Sequence, residues 1–266
     1  MAMTEKSFTN VFNIKAPKWR TSITNIESNK ITTRGYSQDE LIEDLSFSEM
    51  IYLLINGNVP SKNESKMFNA ISVSFSDHGL TPPSTQSARI IASGGSSVQC
   101  SVAGGLLAFG KNHAGAIEHS MELLQTSLKK FPDKNVCDIA ECIVEDYLNK
   151  FENIPGFGHR IHKKDPRAAK ILKLAKEYNC FGKHTSLAMA IQDVLNEKKN
   201  ININIDGANA SVLLDLGFEP NVGVGIFMIG RLPGLVSHVI GEQTNEVSFR
   251  KIVDVDEIVY DGDKSE

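Results

Sequence analysis

Long hydrophobic runs are missing from this chain. Its longest uninterrupted apolar stretches, such as Met50 to Ile55, fall far short of the roughly 20 residues that cross a bilayer. Met1 to Asn10 mixes Glu5 and Lys6 with polar residues and has no apolar h-region, so no secretory signal is expected. The 4 cysteines (Cys100, Cys137, Cys142 and Cys180) show no CxxC spacing, and free buried thiols are the expectation for a cytosolic chain. Neither sign of charge dominates. A net charge of −4 argues against a generic nucleic-acid binder, while a local basic patch for a phosphorylated cofactor remains compatible with it. A Walker A sequence, a GxGxxG after a strand, regular βα alternation and internal repeats are all absent. The expectation is a cytoplasmic protein with neither nucleic acid nor membrane as partner.

What is present reads as helix. At 266 residues the chain is long enough for one large or two small domains, and 41% hydrophobic with 23% charged residues is ordinary globular composition. Residues 22–33 place two short β-branched runs around Ser28-Asn29-Lys30, which predicts a small hairpin and is the one clear strand signal. Ser46 and Glu49 have capping-box spacing, and the apolar stretch after them runs to Gly57 with Pro60 beyond, a helix with start and stop signals. Further stripes at helical period are Ile117, Met121, Leu124 and Leu128; Val136, Ile139, Ala140, Ile143 and Tyr147; Ala168, Ile171, Leu172, Ala175 and Tyr178; and Leu187, Ile191, Val194 and Leu195. These stripes read as core packing. The charged tail from Asp261 to Glu266 is expected to fray.

Between the helices lie four joints rich in glycine, histidine and proline: Ser76 to Gly79, Gly110 to Ala116, Gly156 to Arg167, and Asn204 to Ala208. Each sets an ionisable side chain at a helix boundary among small residues that permit close backbone approach. A histidine there can donate to a developing oxyanion or move a proton near neutral pH. A carboxylate among apolar neighbours can act as a base, or as an acid once desolvated. Clustered Arg and Lys suit carboxylates and phosphates. Each joint alone is a weak signal, because a lone loop histidine is more often a cap or a surface group. A metal site is not expected. His113 and His119 are six apart and His159 and His162 three apart, but Pro155 and two glycines make the start of that segment poorly helical, and HExxH is absent.

Taken in chain order, these segments resemble the citrate synthase superfamily over about residues 20 to 260. Arg34-Gly35-Tyr36 is similar to its RGY, and Asn56 to Pro60 to its helix-ending GxxP. Asp77-His78-Gly79, with Ser84 and Arg89, is similar to the segment carrying a substrate-binding histidine. His113-Ala114-Gly115-Ala116 resembles the HGGA box, with Ala114 where glycine is usual. Gly156 to Arg167 resembles GFGHR…DPR, the most specific of these motifs. Asn204-Ile205-Asp206 resembles NVD, and Gly230 to Gly234 with His238 resembles GRxxGxxAH. Two features point toward the citryl-CoA lyase branch and the lyase module of ATP-citrate lyase. Asp206 is followed by Gly207-Ala208-Asn209-Ala210 rather than an aromatic, and the interval from His159 to Asp165-Pro166-Arg167 is one residue shorter than the usual synthase spacing.

The resemblance implies an all-α, two-domain helical fold with a small N-terminal β-hairpin. It implies a large domain of 1–113 plus 212–266, a small domain of 114–211 inserted at a hinge, and a homodimer. It implies cleavage of (3S)-citryl-CoA to acetyl-CoA and oxaloacetate, with His113, His159 and Asp206 catalytic. His78, Arg167, Arg231 and Arg250 would hold the oxaloacetate-end carboxylates, and Arg160, Lys163 and Lys164 would recruit CoA phosphates. No permanently bound cofactor is expected, since the CoA ester is substrate or product, and a separate citryl-CoA synthetase is the expected partner. The alternatives are a citrate or methylcitrate synthase, a lyase for another 3-hydroxy-3-methylglutaryl-like or malyl-like CoA ester, and a non-enzymatic helical scaffold.

Overall fold

The computed structural model of the protein describes residues 19–158 and 164–263. Its packing divides the chain into Met1–Val59 and Pro60–Glu266. The described residues form eleven α-helices and a three-stranded sheet.

In the first unit, β1 (Thr24–Glu27) and β2 (Lys30–Thr33) pair antiparallel from Thr24↔Thr33 to Glu27↔Lys30. The turn works because Asn29 takes a left-handed φ of 59°, a conformation Asn tolerates. A two-residue β3 (Tyr36–Ser37), absent from the expectation, adds to β2. Helix α1 (Gln38–Asp44) follows, then α2 (Phe47–Asn56). In α2 the Ser46–Glu49 capping box forms, and Gly57 ends the helix at φ 93°. Arg34 is fixed inside this unit, its Nη2 donating to the Leu54 carbonyl at 2.6 Å.

The second unit holds α3 (Lys62–Phe75), α4 (Pro83–Ser93), α5 (Val98–Leu107), α6 (Gly115–Lys130), α7 (Val136–Asn149), α8 (Pro166–Glu177), α9 (Lys183–Lys199), α10 (Ile205–Asp215) and α11 (Gly223–Asn245). Helices α4 and α5 pack against each other and against α11, which also meets α3; α6, α8 and α9 pack around α10, and α7 packs on α9. The predicted stripes supply that second group: Ile117, Met121, Leu124, Ile139, Ile143, Ile171, Leu187 and Ile191 are buried. Helix α10 is its centre. Every residue from Gly207 to Leu214 is buried, so the helix is packed on all sides and shows no amphipathic stripe.

Two expectations need correction. Cys100, Cys137 and Cys142 are free but exposed, and Cys180 is the one buried thiol among the four. On α7 the inward face is Ile139, Ala140, Ile143 and Val144, which leaves positions 137 and 142 outside it. Second, the run Pro220–Asn245 is long and apolar enough to cross a membrane by length and composition, with a mean hydropathy of 1.5 in its most apolar window. Uninterrupted runs missed it because Arg231 and several glycines break the sequence. Within this fold, Ile226, Phe227, Gly230, Arg231, Gly234 and Leu235 turn inward, as expected of a core helix.

Candidate active site

The joints become the site because local backbone chemistry fixes each one. Gly110 and His113 exchange two backbone hydrogen bonds of 2.9 Å, which folds the chain back just before α6. Ala114 caps that helix in the left-handed region, at φ 69°. A β-carbon is costly there, which is why a glycine suits the position. The His113 ring is stacked on Phe109 and set edge-on to Phe227. Its Nε2 shares a 2.9 Å hydrogen bond with Ser84 Oγ, near the start of α4. Burial lowers the His113 pKa below its ordinary value, and the charges of Arg231 and His78 push the same way, so its imidazole is neutral at pH 7.

Asp206 sits in the first turn of α10. Asn204 caps that helix, its Oδ1 accepting the N–H groups of Asp206 and Gly207 at 2.9 and 3.1 Å. The same Asn204 donates through Nδ2 to the Gly158 carbonyl at 2.7 Å, and its N–H donates to the Gly156 carbonyl at 3.0 Å. Phe157 bridges Ile203 antiparallel. The Gly156–Gly158 strip is thereby sewn onto the start of α10. Gly156 takes φ +85°, and a Cβ on it would come within 2.6 Å of the Gly207 Cα. Both glycines are required by that approach. Burial pushes the Asp206 carboxyl up to about 6; Arg167 and Arg231 pull it down and Asp165 adds to the rise.

Arg167 and Arg231 supply the positive charge. Asp165, which is buried, caps α8 ahead of Pro166. It accepts a forked pair from the Arg167 side chain, Nε to Oδ1 at 3.1 Å and Nη2 to Oδ2 at 2.9 Å, and the Ile205 N–H at 3.2 Å. Burial works to raise the Asp165 carboxyl, but the Arg167 hydrogen bonds and charge outweigh it and hold it below the ordinary range. Arg167 Nη1 lies 3.4 Å from His78 Nδ1. Arg231 is 3% exposed, donates through Nε to the Phe75 carbonyl at 2.6 Å, and lies over the Phe227 ring. Its Nη1 is buried without a hydrogen-bond partner among the described residues. Buried, unpaired guanidinium N–H groups are costly unless an anion meets them.

The structure thus brings together His78, His113, Arg167, Asp206 and Arg231. His159, Arg160 and Lys163 lie outside the described residues. Lys164 lines a cavity of about 430 Å³ with Lys173, Lys176, Phe181 and Ile203, directly beside Asp165. Arg250 is engaged elsewhere: it pairs with Glu242 at 2.6 Å and with Glu246 at 2.8 Å, and Arg89 also contacts Glu242. Sequence reasoning quoted Ser84 and Asp165 but gave neither a role. The Asp-Pro pair was a readable cap signal for Asp165; nothing local announces that Ser84 meets His113.

A family model described as citrate synthase, C-terminal domain, matches residues 12–73 and 60–252. The chain belongs to the citrate synthase family. Among solved members it is similar to the citryl-CoA lyase of Hydrogenobacter thermophilus, 38% identical, with a TM-score of 0.86 over 93% of this chain and 96% of that one. The citrate synthase of Heyndrickxia coagulans is 34% identical over 215 residues, covering 79% of this chain and 56% of that protein. The chain spans somewhat over half the length of the curated relatives it matches. The ATP citrate lyase of Methanothrix soehngenii, solved with citrate and coenzyme A, shares the fold at 19% identity, with a TM-score of 0.81 over 99% of this chain and 45% of that one.

Proposed function

We propose that this family member is a citryl-CoA lyase, cleaving (3S)-citryl-CoA to acetyl-CoA and oxaloacetate. The observation that carries the reading is its near end-to-end likeness to the Hydrogenobacter lyase, 93% of one chain on 96% of the other. The Asp206-Gly207-Ala208 run and the short His159 to Asp165 interval point the same way.

The reaction breaks the bond between the acetyl methylene carbon and the carbinol carbon. The electron pair passes to the thioester as an enolate, the carbinol oxygen becomes the oxaloacetate carbonyl as its proton leaves, and the methylene carbon gains a proton. His113 is the donor to the thioester oxygen. With the Ser84 hydroxyl donating to Nε2, the ring proton of a neutral imidazole lies on Nδ1 and is available to that oxygen. Asp206, with its carboxyl raised to about 6, holds a proton far more readily than an exposed aspartate and delivers it to the carbon. His159 holds the carbinol oxygen and takes its proton. Arg167, Arg231 and His78 hold the carboxylates, and Arg231 Nη1, without a partner among the described residues, is a donor ready to receive one.

The basic and apolar cavity lined by Lys164, Lys173 and Lys176 suits the phosphates and adenine of CoA; Arg160 and Lys163 are given the same ligand by the family resemblance alone. Arg250 joins the carboxylate cluster, in a homodimer, only by leaving Glu242 and Glu246. The domain reading carries over as 1–113 plus 212–266 with 114–211 inserted, so that closure would bring His113 and Asp206 onto one substrate and exclude water. The protein is proposed to act in the cytoplasm, fed by a separate citryl-CoA synthetase.

The curated relatives at 30–34% identity carry synthase names, which favours condensation as the second reading. Paired assays decide. Citryl-CoA should yield oxaloacetate at once, whereas acetyl-CoA with oxaloacetate should release no stoichiometric free CoA. Rapid CoA release in the second assay overturns the lyase reading in favour of a synthase.

A further inference from the structure

Helix α11 grips the segment carrying His78 at three successive residues. Arg231 Nε donates to the Phe75 carbonyl at 2.6 Å. One turn later, Gly234 lies so close to that segment that a Cβ on it would collide with the Ser76 carbonyl oxygen, with Asp77 Oδ1 at 3.1 Å. A further turn on, His238 Nε2 shares a 2.9 Å hydrogen bond with Asp77 Oδ1. Positions 231, 234 and 238 form one stripe of the helix, at i, i+3 and i+7. The other Asp77 oxygen accepts the Gly79 N–H at 3.1 Å, bridging over His78. Burial works to raise the Asp77 carboxyl, but the Gly79 N–H, His238 and the His78 N–H outweigh it and hold it below the ordinary range.

The contact is not a buried stabilising pair. The His238 and Asp77 side chains are 22% and 49% exposed, and ion pairs at such exposure contribute little to folding. Their effect is geometric. One carboxylate fixes the backbone on both sides of His78, and His238 fixes that carboxylate. Arg231, from the same stripe, already faces the site, so α11 sets Arg231 and His78 in register from a single rigid element.

We propose that His238 is a positioning residue: through Asp77 it holds the 77–79 turn so that the His78 ring, beside Arg167, meets the carboxylate of the organic acid. This rests on the reading of the site as one for oxaloacetate.

The test is calorimetric titration of oxaloacetate, and separately of CoA, into the full chain and its His238→Ala, His238→Phe and His238→Gln variants. Alanine and phenylalanine should each weaken oxaloacetate binding at least about fivefold, the scale of one lost partly exposed hydrogen bond, with CoA affinity and unfolding midpoint unchanged. Glutamine, whose amide nitrogen can reach Asp77, should return to within twofold of the parent. Phenylalanine keeps the ring volume and carries the test if the alanine variant does not fold. Oxaloacetate affinity within twofold of the parent in both the alanine and phenylalanine variants overturns the inference, as does a glutamine variant as weak as they are. A parent protein that binds CoA but no oxaloacetate overturns the site reading itself, and this inference with it.

Discussion

Replacing Asp206 by asparagine should make the protein more stable while greatly slowing the proposed citryl-CoA cleavage. The carboxyl moves from an ordinary 3.8 to about 6 because burial disfavours its charged form. At roughly 1.4 kcal/mol per pH unit, keeping it ionised in the folded chain costs about 3 kcal/mol. The sign follows from proton binding. Below pH 3.8 both states hold the proton and the penalty is absent; between 3.8 and about 6 the folded state binds more protons than the unfolded one, so stability falls as pH rises; above about 6 the whole penalty is present. Asparagine has nearly the same shape and no charge to desolvate. Asp206→Asn should therefore raise the unfolding midpoint at pH 8 by several degrees, on the scale of roughly 2–4 °C per kcal/mol for a chain of this size, and by nothing at pH 3.5. Calorimetry of both proteins at the two pH values measures this, beside a citryl-CoA cleavage assay in which the variant should lose at least about a hundredfold. Equal midpoints at pH 8, or an equal gain at pH 3.5, would refute the argument that burial raises this carboxyl.

Other perturbations test the neighbours. His113→Ala should lose about a hundredfold or more in turnover with the fold intact, checked by steady-state kinetics and circular dichroism; near-normal turnover would remove His113 from the mechanism. Arg167→Ala should weaken oxaloacetate binding and also destabilise the chain by about 3 kcal/mol, because it strands the buried Asp165 carboxylate. Adding Asp165→Asn to it should restore much of the denaturant midpoint but not the binding. Ala114→Gly should stabilise the chain by about 1 kcal/mol in urea titration, by relieving the left-handed backbone at φ 69°. Gly207→Ala should lower the thermal midpoint and activity together, since its Cβ would strike the Gly156 carbonyl.

What could be read ahead of the structure was whatever local chemistry determines. The Asn29 turn, the Ser46–Glu49 box and the Gly57 stop each involve residues within a few positions of one another, and all three form. A second box of the same spelling, Ser61 with Glu64, caps α3 and went unread. The joints were legible because glycine and histidine are conspicuous between apolar stripes. Their meeting was not. Ile205 donates to Asp165 across 40 positions, and Ser84 reaches His113 across 29, contacts that no spacing encodes. Helix α10 defeats periodicity for a different reason: buried on every side, it has no polar face to set the phase. Nor does any local spacing announce that the Arg250 guanidinium pairs with Glu242 and Glu246.

Arg231 also bears on the apolar run in which it sits. The run Pro220–Asn245 is long and apolar enough to cross a membrane by length and composition alone. A guanidinium near the middle of such a segment adds about 2.5 to 3.5 kcal/mol to the cost of its insertion into lipid. In the folded chain the same group lies buried over Phe227 and against the Phe75 carbonyl. One side chain therefore raises the cost of placing this segment in lipid and, in the fold, lies close to His113 and Asp206. Arg231→Leu would remove that insertion cost and the Phe75 contact together, leaving Glu242 as the one remaining acidic or strongly basic residue of the run.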